Sequence, residues 1–383
     1  MTTPLEISDL KRMARRRVPR MFFEYADSGS WSQSTYRRNE ADFADIKLRQ
    51  RVAVDMTNRS LESKMIGETS RMPVALAPTG LTGMQYADGE ILAAQAAEEW
   101  GVPFTLSTMS ICSLETVAEN TKKPFWFQLY VMRDKEYVKN LIQRAKDVGC
   151  SALVLTLDLQ ILGQRHNDIR NGLAAPPKKN LSTLLQLATR PAWCLDILRT
   201  RNRGFGNVVG HVKGVDDLSS LSEWTANQFD PQLSWADIED VRKQWGGKLI
   251  LKGIMDPEDA VMAAKTGADA IIVSNHGGRQ LDGAPSTIEA LPAVVDAVGD
   301  QIEVQFDGGI RSGQDILKAL CLGAKSTHIG RAFLYGLGAM GKRGVTQTLD
   351  ILERELDITM ALCGEREVTN LGRHNLYAPP VAE

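Results

Sequence analysis

Cysteine, histidine and long apolar runs are all scarce in this chain, and each scarcity excludes something. Five cysteines, Cys112, Cys150, Cys194, Cys321 and Cys363, stand far apart in 383 residues with no CxxC pair. That spacing supports neither a disulfide framework nor a thiolate zinc site, and it fits a reducing cytoplasm. The five histidines fall at no metal-ligand spacing, so no metal is expected. No apolar run reaches the roughly 18 residues that a membrane-spanning helix needs. A dominant charge is lacking too: 45 Lys and Arg against 47 Asp and Glu leave a net charge of −2, which excludes a chain-wide nucleic-acid surface. The N-terminus is locally basic (Lys11, Arg12, Arg15, Arg16, Arg17, Arg20), but the apolar core of a secretory signal is missing. Arginine content alone would allow a mitochondrial presequence. Against it, Glu6 and Asp9 interrupt the arginines and fold-like sequence begins almost at once.

What is present is a repeated alternation. With 43% hydrophobic and 24% charged residues, a sizeable core is expected. Eight short apolar runs recur: PVALAP (73–78), FTLS (104–107), FWFQLY (125–130), ALVLTLD (152–158), KLILKG (248–253), AIIVSNHGG (270–278), IEVQFDGG (302–309) and STHIGRA (326–332). Helix-like stretches follow them, at 89–100, from Ser113, at 133–148, 234–245, 256–266, 287–298 and 312–322, and then at the C-terminus. The runs are continuously apolar rather than alternating, as strands covered by helices should be. Eight such units predict an α/β fold, either a closed (β/α)₈ TIM barrel or a doubly wound sheet. The barrel is preferred because every run ends in polar residues or glycine: Thr79, Ser107, Gln128, Thr156 with Asp158, Lys252, Ser274 with His276, Asp307, and Gly330 with Arg331. In a barrel those ends converge on one mouth, where active sites lie. The expected organisation is one domain over 1–383, with the barrel at about 73–340, a helical and irregular N-terminal extension to about 70, and a long insertion at about 159–233 after the fourth strand.

Several of these ends carry chemistry. Asp307-Gly308-Gly309-Ile310-Arg311 closes the seventh run and Gly330-Arg331 the eighth. Those two loops are a common phosphate site in barrels, where glycine admits an anion to the backbone and arginine donates twice. Lys252 sits inside an apolar run. It either snorkels outward or faces an anionic partner in the barrel, where it can stabilise a negatively charged reduced flavin. His276 is a candidate general base, and Asp158 can hold its ring and stabilise its charged form. Arg165 and Arg279 are candidate clamps for a substrate carboxylate. One base, its carboxylate, two arginines and a phosphate pocket imply a phosphate-bearing cofactor and a carboxylate substrate.

SNHGGRQLDG (274–283), FDGGIRSGQDILKALCLGA (306–324) and IGRAFLYGL (329–337) resemble the FMN-dependent 2-hydroxy-acid dehydrogenase and oxidase family, which includes glycolate oxidase. The resemblance runs from about residue 5 to 377. RRNEADFADIKLRQR, PVALAPTGLTGM, PFTLSTMSIC, WFQLYV and LKGIMDPEDA look most like its bacterial respiratory L-lactate dehydrogenase branch. The resemblance implies His276 as base and Asp158 as its partner. It implies Arg165, Arg279 and Tyr25 at the substrate carboxylate, and Tyr130 at the reacting oxygen. FMN is implied at the backbone of Pro78, Thr79 and Gly80 and at Ser107, Gln128, Thr156, Lys252 and Ser274. Its phosphate is implied on Gly308, Gly309, Arg311, Gly330 and Arg331, with Asp307 near the ribityl chain. Met109 and Leu162 are expected to line the substrate pocket. Where the family often has proline two residues past the aspartate, this chain has Gln160, which bears on loop geometry and substrate fit.

The implied reaction is oxidation of a small L-2-hydroxy acid, L-lactate first, to the 2-keto acid. Glycine at position 80, where alanine is common in the oxidases, favours a dehydrogenase handing electrons to a quinone or other carrier over a peroxide-forming oxidase. A non-redox FMN or phosphate-binding barrel would need the arginines without the His276, Arg279, Arg165 and Tyr25 set, and a third alternative is a non-catalytic scaffold that binds a membrane. The family also suggests a homotetramer. Residues 178–214 carry seven Lys or Arg against one acid, Asp196, together with Leu184, Leu185, Leu187, Trp193, Leu195, Ile197 and Leu198. Such a segment can lie on an anionic membrane surface, here the cytoplasmic face of the inner membrane. It can equally be a lid or an oligomer contact with solvated charges.

Overall fold

A computed structural model describes residues 3–173, 186–211 and 228–377. A short antiparallel hairpin, β1 (Ser63–Met65) and β2 (Glu68–Ser70), precedes eight parallel strands. These are β3 (Val74–Leu76), β4 (Thr105–Ser107), β5 (Trp126–Tyr130), β6 (Ala152–Thr156), β7 (Lys248–Ile254), β8 (Ala270–Val273), β9 (Glu303–Asp307) and β10 (Ser326–Ile329). They pair in the order β3-β10-β9-β8-β7-β6-β5-β4. The Leu76–Phe104 bridge, with Leu76 N donating to Pro103 O at 2.9 Å, joins β3 to β4 and closes the ring. This is the expected (β/α)₈ barrel.

The helices begin where the sequence offers caps. Ser113 Oγ accepts from Thr116 N (3.1 Å) and Asp134 from Tyr137 N (3.0 Å), and Ser312 and Asp315 form a capping box. Each satisfies an amide that the first helical turn leaves free. Gly101 and Gly246 end their helices at φ +94° and +70°, the left-handed closure that glycine adopts without steric cost.

Inside the ring, Ala75, Trp126, Ala152, Val154, Ile250, Ala270 and Ile272 pack on Met65 and Ile66 from the hairpin turn. The sequence suggested only helix and irregular chain before residue 70; the hairpin there plugs the bottom of the barrel. Helices Ile7–Arg17, Arg20–Ala26 and Ser34–Ala41 form the first part of that extension. Apolar packing therefore fills the lower barrel and leaves the polar strand ends at the top.

The insertion is ordered where it is described. Helices His166–Arg170 and Pro191–Arg199 lie in it, and buried Asn207 accepts from Leu114 N at 2.9 Å. Its far end is tied down by the Met132–Phe229 bridge and by Arg133 N donating to Gln228 O at 2.9 Å. Gln160 Nε2 donates to Leu233 O at 2.7 Å, so the residue that replaces the family's proline clips the two ends of the insertion together. Among the described residues no helix is long and apolar enough to cross a membrane.

Candidate active site

β6 ends at Thr156, and two residues later Asp158 meets His276 from the loop after β8. Asp158 Oδ1 lies 3.0 Å from His276 Nδ1. His276, Gly277 and Gly278 all have positive φ, at +56°, +66° and +72°. Three left-handed residues in a row turn the chain sharply, and the strain at His276 is of the kind found at functional sites. Gly278 is sterically required, since a Cβ there would meet Tyr36 N at 2.5 Å. With Nδ1 engaged by the carboxylate, His276 keeps Nε2 for the cavity. Burial pushes its pKa down, Asp158 pulls it up, Lys252 and Arg279 oppose that, and the net is below the ordinary value. For Asp158, burial raises the pKa but His276 and Lys252 outweigh it, so the carboxyl stays low. The resting pair is a neutral imidazole beside a carboxylate.

Lys252 points inward and is 4% exposed. Its Nζ donates to Ser274 Oγ at 2.7 Å and pairs with Asp307 Oδ2 at 3.0 Å. Burial alone would lower its pKa, but Asp307 and Asp158 raise it above the ordinary lysine value. A charged ammonium thus sits at the barrel mouth.

Tyr25 reaches the same mouth from helix Arg20–Ala26. The arm after it is tied down by Ser30 N to Gly278 O (3.0 Å) and by Arg331, which donates to Ala26 O (2.7 Å) and Ser28 O (2.9 Å). The Arg279 guanidinium lies 4.6 Å from the Tyr25 ring centroid and Arg165 lies 5.9 Å away. Burial and the neighbouring Arg165 push Arg279 down to about 10, still a cation at neutral pH. Tyr130 packs edge-on against Phe229 at 5.7 Å, and burial raises its pKa, so it stays a phenol that can donate.

One cavity of about 530 Å³ collects these groups. Tyr25, Tyr130, Arg165, His276 and Arg279 line it, and so do Pro78, Thr79, Gly80, Lys252 and Asp307. Gly308, Gly309, Arg311, Gly330 and Arg331 line it as well, along with Met109 and Leu162. Gly309 is close-packed: a Cβ there would fall 1.7 Å from Asn39 O. Ser107, Gln128 and Thr156 at the ends of their strands, and Ser274 just past β8, are buried at 0–3% exposure.

Other lining residues were not anticipated. Leu159, Phe205 and Phe229 belong to the insertion, where no periodicity marks them. Arg311 pairs with Glu40 at 2.6 Å, a partner 271 positions away. Gln280 fixes the loop after β6 by donating to Asp158 O (2.7 Å) and Ile161 O (2.8 Å). The insertion also departs from expectation at Trp193. It is 5% exposed, packs on Met84 and Ile111, and donates to Met84 O at 2.9 Å. It anchors the insertion inward, because the indole N–H finds a buried carbonyl there. Leu195 and Leu198 on the same helix are 52% and 65% exposed. Leu184 and Leu185 lie outside the described residues.

A polarised imidazole, two neighbouring arginines and a buried ammonium in one cavity suit oxidation of an anionic substrate beside an anionic cofactor. Comparison with known proteins agrees. The family model for FMN-dependent dehydrogenases matches residues 14–378. The L-lactate dehydrogenase of Actinobacillus pleuropneumoniae (serotype 5b, strain L20) is 46% identical over 370 residues, 96% of this chain and 97% of its own. That of Stenotrophomonas maltophilia (strain R551-3) is 44% identical over 374 residues, 97% and 98%. The monotopic membrane protein (S)-mandelate dehydrogenase superposes with a TM-score of 0.94 at 34% identity, covering 99% of this chain and 100% of that one.

The cavity fits FMN on its own features. Gln128 Nε2 is buried with no protein partner among the described residues, so a donor is left for a ligand. Lys252 offers a fixed positive charge, and glycine backbone flanked by two arginines offers an anion cradle. On the family match, the identities over nearly the whole chain and this fit, the chain belongs to the FMN-dependent dehydrogenase family.

Proposed function

We propose that this chain oxidises L-lactate, or a closely related small L-2-hydroxy acid, to the 2-keto acid and passes the electrons to a quinone or another carrier. The observation that carries the reading is the His276–Asp158 pair at 3.0 Å, opening on the same cavity as Arg279, Arg165 and Tyr25. The L-lactate dehydrogenase relatives, at 44–46% identity, support lactate over mandelate.

FMN, when bound, supplies the two-electron acceptor. Lys252, Gln128, Ser107, Thr156, Ser274 and the backbone of Pro78, Thr79 and Gly80 would hold it. Gly308, Gly309, Arg311, Gly330 and Arg331 would hold its phosphate, with Asp307 near the ribityl chain. Arg279 and Arg165, with the Tyr25 hydroxyl, hold the substrate carboxylate, which fixes one face of the acid toward the ring. Tyr130 donates to the reacting oxygen. His276 takes a substrate proton on Nε2, and Asp158 stabilises the imidazolium that forms. Lys252 stabilises negative charge that develops beside it. Phe205 and Phe229 exclude water from above.

The chain works as a single domain, a peripheral protein on the cytoplasmic face of the membrane and a homo-oligomer. Exposed Leu195 and Leu198 beside Arg199 and Arg201 support the membrane contact.

The test is turnover of the FMN-loaded enzyme with L-lactate, D-lactate and (S)-mandelate, measuring reduction of a soluble quinone and hydrogen peroxide in parallel. The expected result is L-lactate preferred and quinone reduced well ahead of peroxide. Peroxide at the full turnover rate would make the chain an oxidase. No oxidation of any L-2-hydroxy acid would end the reading.

A further inference from the structure

One buried polar line in the barrel core has no part in the chemistry above. His328 on β10 is 1% exposed, and its Nε2 lies 2.7 Å from Gln305 Oε1 on β9. Gln305 is fully buried, and its Nε2 donates to Glu303 Oε1 at 2.7 Å. The Glu303 carboxylate also accepts Ile66 N of the hairpin plug at 3.0 Å. The Trp126 ring lies 6.0 Å from the imidazole. Polar groups in an otherwise apolar core are costly unless each has a role.

The hydrogen bonds settle the tautomer. Glu303 accepts Ile66 N with both carboxylate oxygens and so meets Gln305 as an acceptor, and Gln305 turns its NH₂ to Glu303 and its carbonyl to His328. The carbonyl only accepts, so His328 carries its proton on Nε2. Nδ1 then holds a lone pair. It faces away from Gln305, because the two ring nitrogens point to nearly opposite sides, and it is buried with no protein partner among the described residues. His328 also forms part of the cavity wall, together with Lys252 and Asp307. Burial holds its pKa at about 4, with Asp307 pulling it up and Lys252 pushing it down, so the ring is neutral at neutral pH.

We propose that His328 is a further residue of the cofactor site, a neutral imidazole locked by Gln305 with the Nδ1 lone pair toward the FMN, where it disfavours the negatively charged reduced form. It opposes Lys252, and the pair sets how strongly the flavin holds its electrons. A lower potential makes the reduced flavin a better donor to the next carrier. The inference rests on the FMN reading of the cavity.

The test is the midpoint potential of bound FMN, by equilibration with a redox dye, in the wild type, His328→Leu and Gln305→Leu. His328→Leu removes the lone pair and should raise the reduced-to-oxidised ratio at a given potential about tenfold, a shift of about 30 mV for a two-electron couple. Gln305→Leu frees the ring to present an N–H to the flavin in place of the lone pair and should shift the potential in the same direction. A residue that merely fills space would change the melting temperature and leave the potential where it was. Potentials unchanged or lowered in the FMN-loaded variants overturn the proposal. If His328→Leu does not fold, Gln305→Leu decides alone. A wild-type chain that binds no FMN refutes the reading of the cavity itself, a result the potentials of loaded variants cannot mimic.

Discussion

Replacing Asp158 with asparagine keeps the shape of the site and removes one charge, so its cost can be worked out. The carboxylate is 3.0 Å from His276 Nδ1, with the two side chains 14% and 21% exposed. At an effective dielectric of about 20, unit charges about 4 Å apart attract by about 4 kcal/mol. That attraction is worth little while the imidazole is neutral and its full value once the ring has taken the substrate proton. An amide dipole recovers part of it, leaving a loss of about 3 kcal/mol, or about 100-fold in kcat. Asparagine can also offer an N–H to Nδ1, which would hold the ring proton on Nε2 and block the base. KM should change little, because Arg279, Arg165 and Tyr25 rather than Asp158 are assigned to the substrate carboxylate. The pH dependence has a definite sign. Asp158 props the His276 pKa up, so the variant's acid limb in kcat/KM should move to lower pH even as the plateau falls. Stopped-flow reduction of the loaded enzyme by L-lactate across pH measures both. A kcat within about threefold of wild type, or an acid limb displaced upward, would refute the reasoning.

Three further outcomes are expected. Gly80→Ala places a Cβ 3.2 Å from Tyr25 Oη and 3.4 Å from Met109, so KM for L-lactate should rise several-fold and the peroxide fraction should increase; an unchanged KM counts against Tyr25 as a carboxylate ligand. His276 and His328 both sit below the ordinary histidine value, His328 at about 4. A depressed histidine binds fewer protons folded than unfolded, so stability falls as pH drops from about 6.5 toward 4, with His328 contributing on the order of 3 kcal/mol. Thermal melts at pH 7 and pH 5 should therefore separate less in His328→Leu than in wild type, and equal separations would contradict the burial argument. Leu195→Ser with Leu198→Ser, both on the exposed face of helix Pro191–Arg199, should release the protein from anionic vesicles without changing its turnover. Undiminished binding would exclude that face as the contact.

Much of the barrel was legible because its signals are local. Continuously apolar runs with polar ends announce strands such as β6 and β9, and Ser113, Ser234 and Ser312 announce the helix starts that follow. The site was legible as far as its residues sit on those ends: His276, Lys252, Arg311 and Arg331 all reach one cavity, and Asp158 pairs with His276. Sequence gave no access to partners set by closure of the ring or by the extension folding back. Glu40 beside Arg311 and the hairpin under the barrel depend on contacts hundreds of residues apart. Phe205 and Phe229 lie in a segment without periodicity, so nothing local marks them as a roof. Trp193 looked like a surface residue by composition, and only its burial with Met84 and Ile111 shows otherwise. His328 read as an ordinary strand residue until Gln305 and Glu303 appeared beneath it.

The most direct measurement is anaerobic addition of L-lactate to the purified, FMN-loaded protein while the flavin absorbance is followed, beside a His276→Gln variant loaded in the same way. The wild type should be yellow and bleach within one turnover, and the variant should bind FMN equally but bleach at least about a thousandfold more slowly. A colourless wild type, a yellow wild type that L-lactate leaves unbleached, or a variant that bleaches at the wild-type rate would contradict the assignment of His276 and its neighbours to one flavin-dependent oxidation.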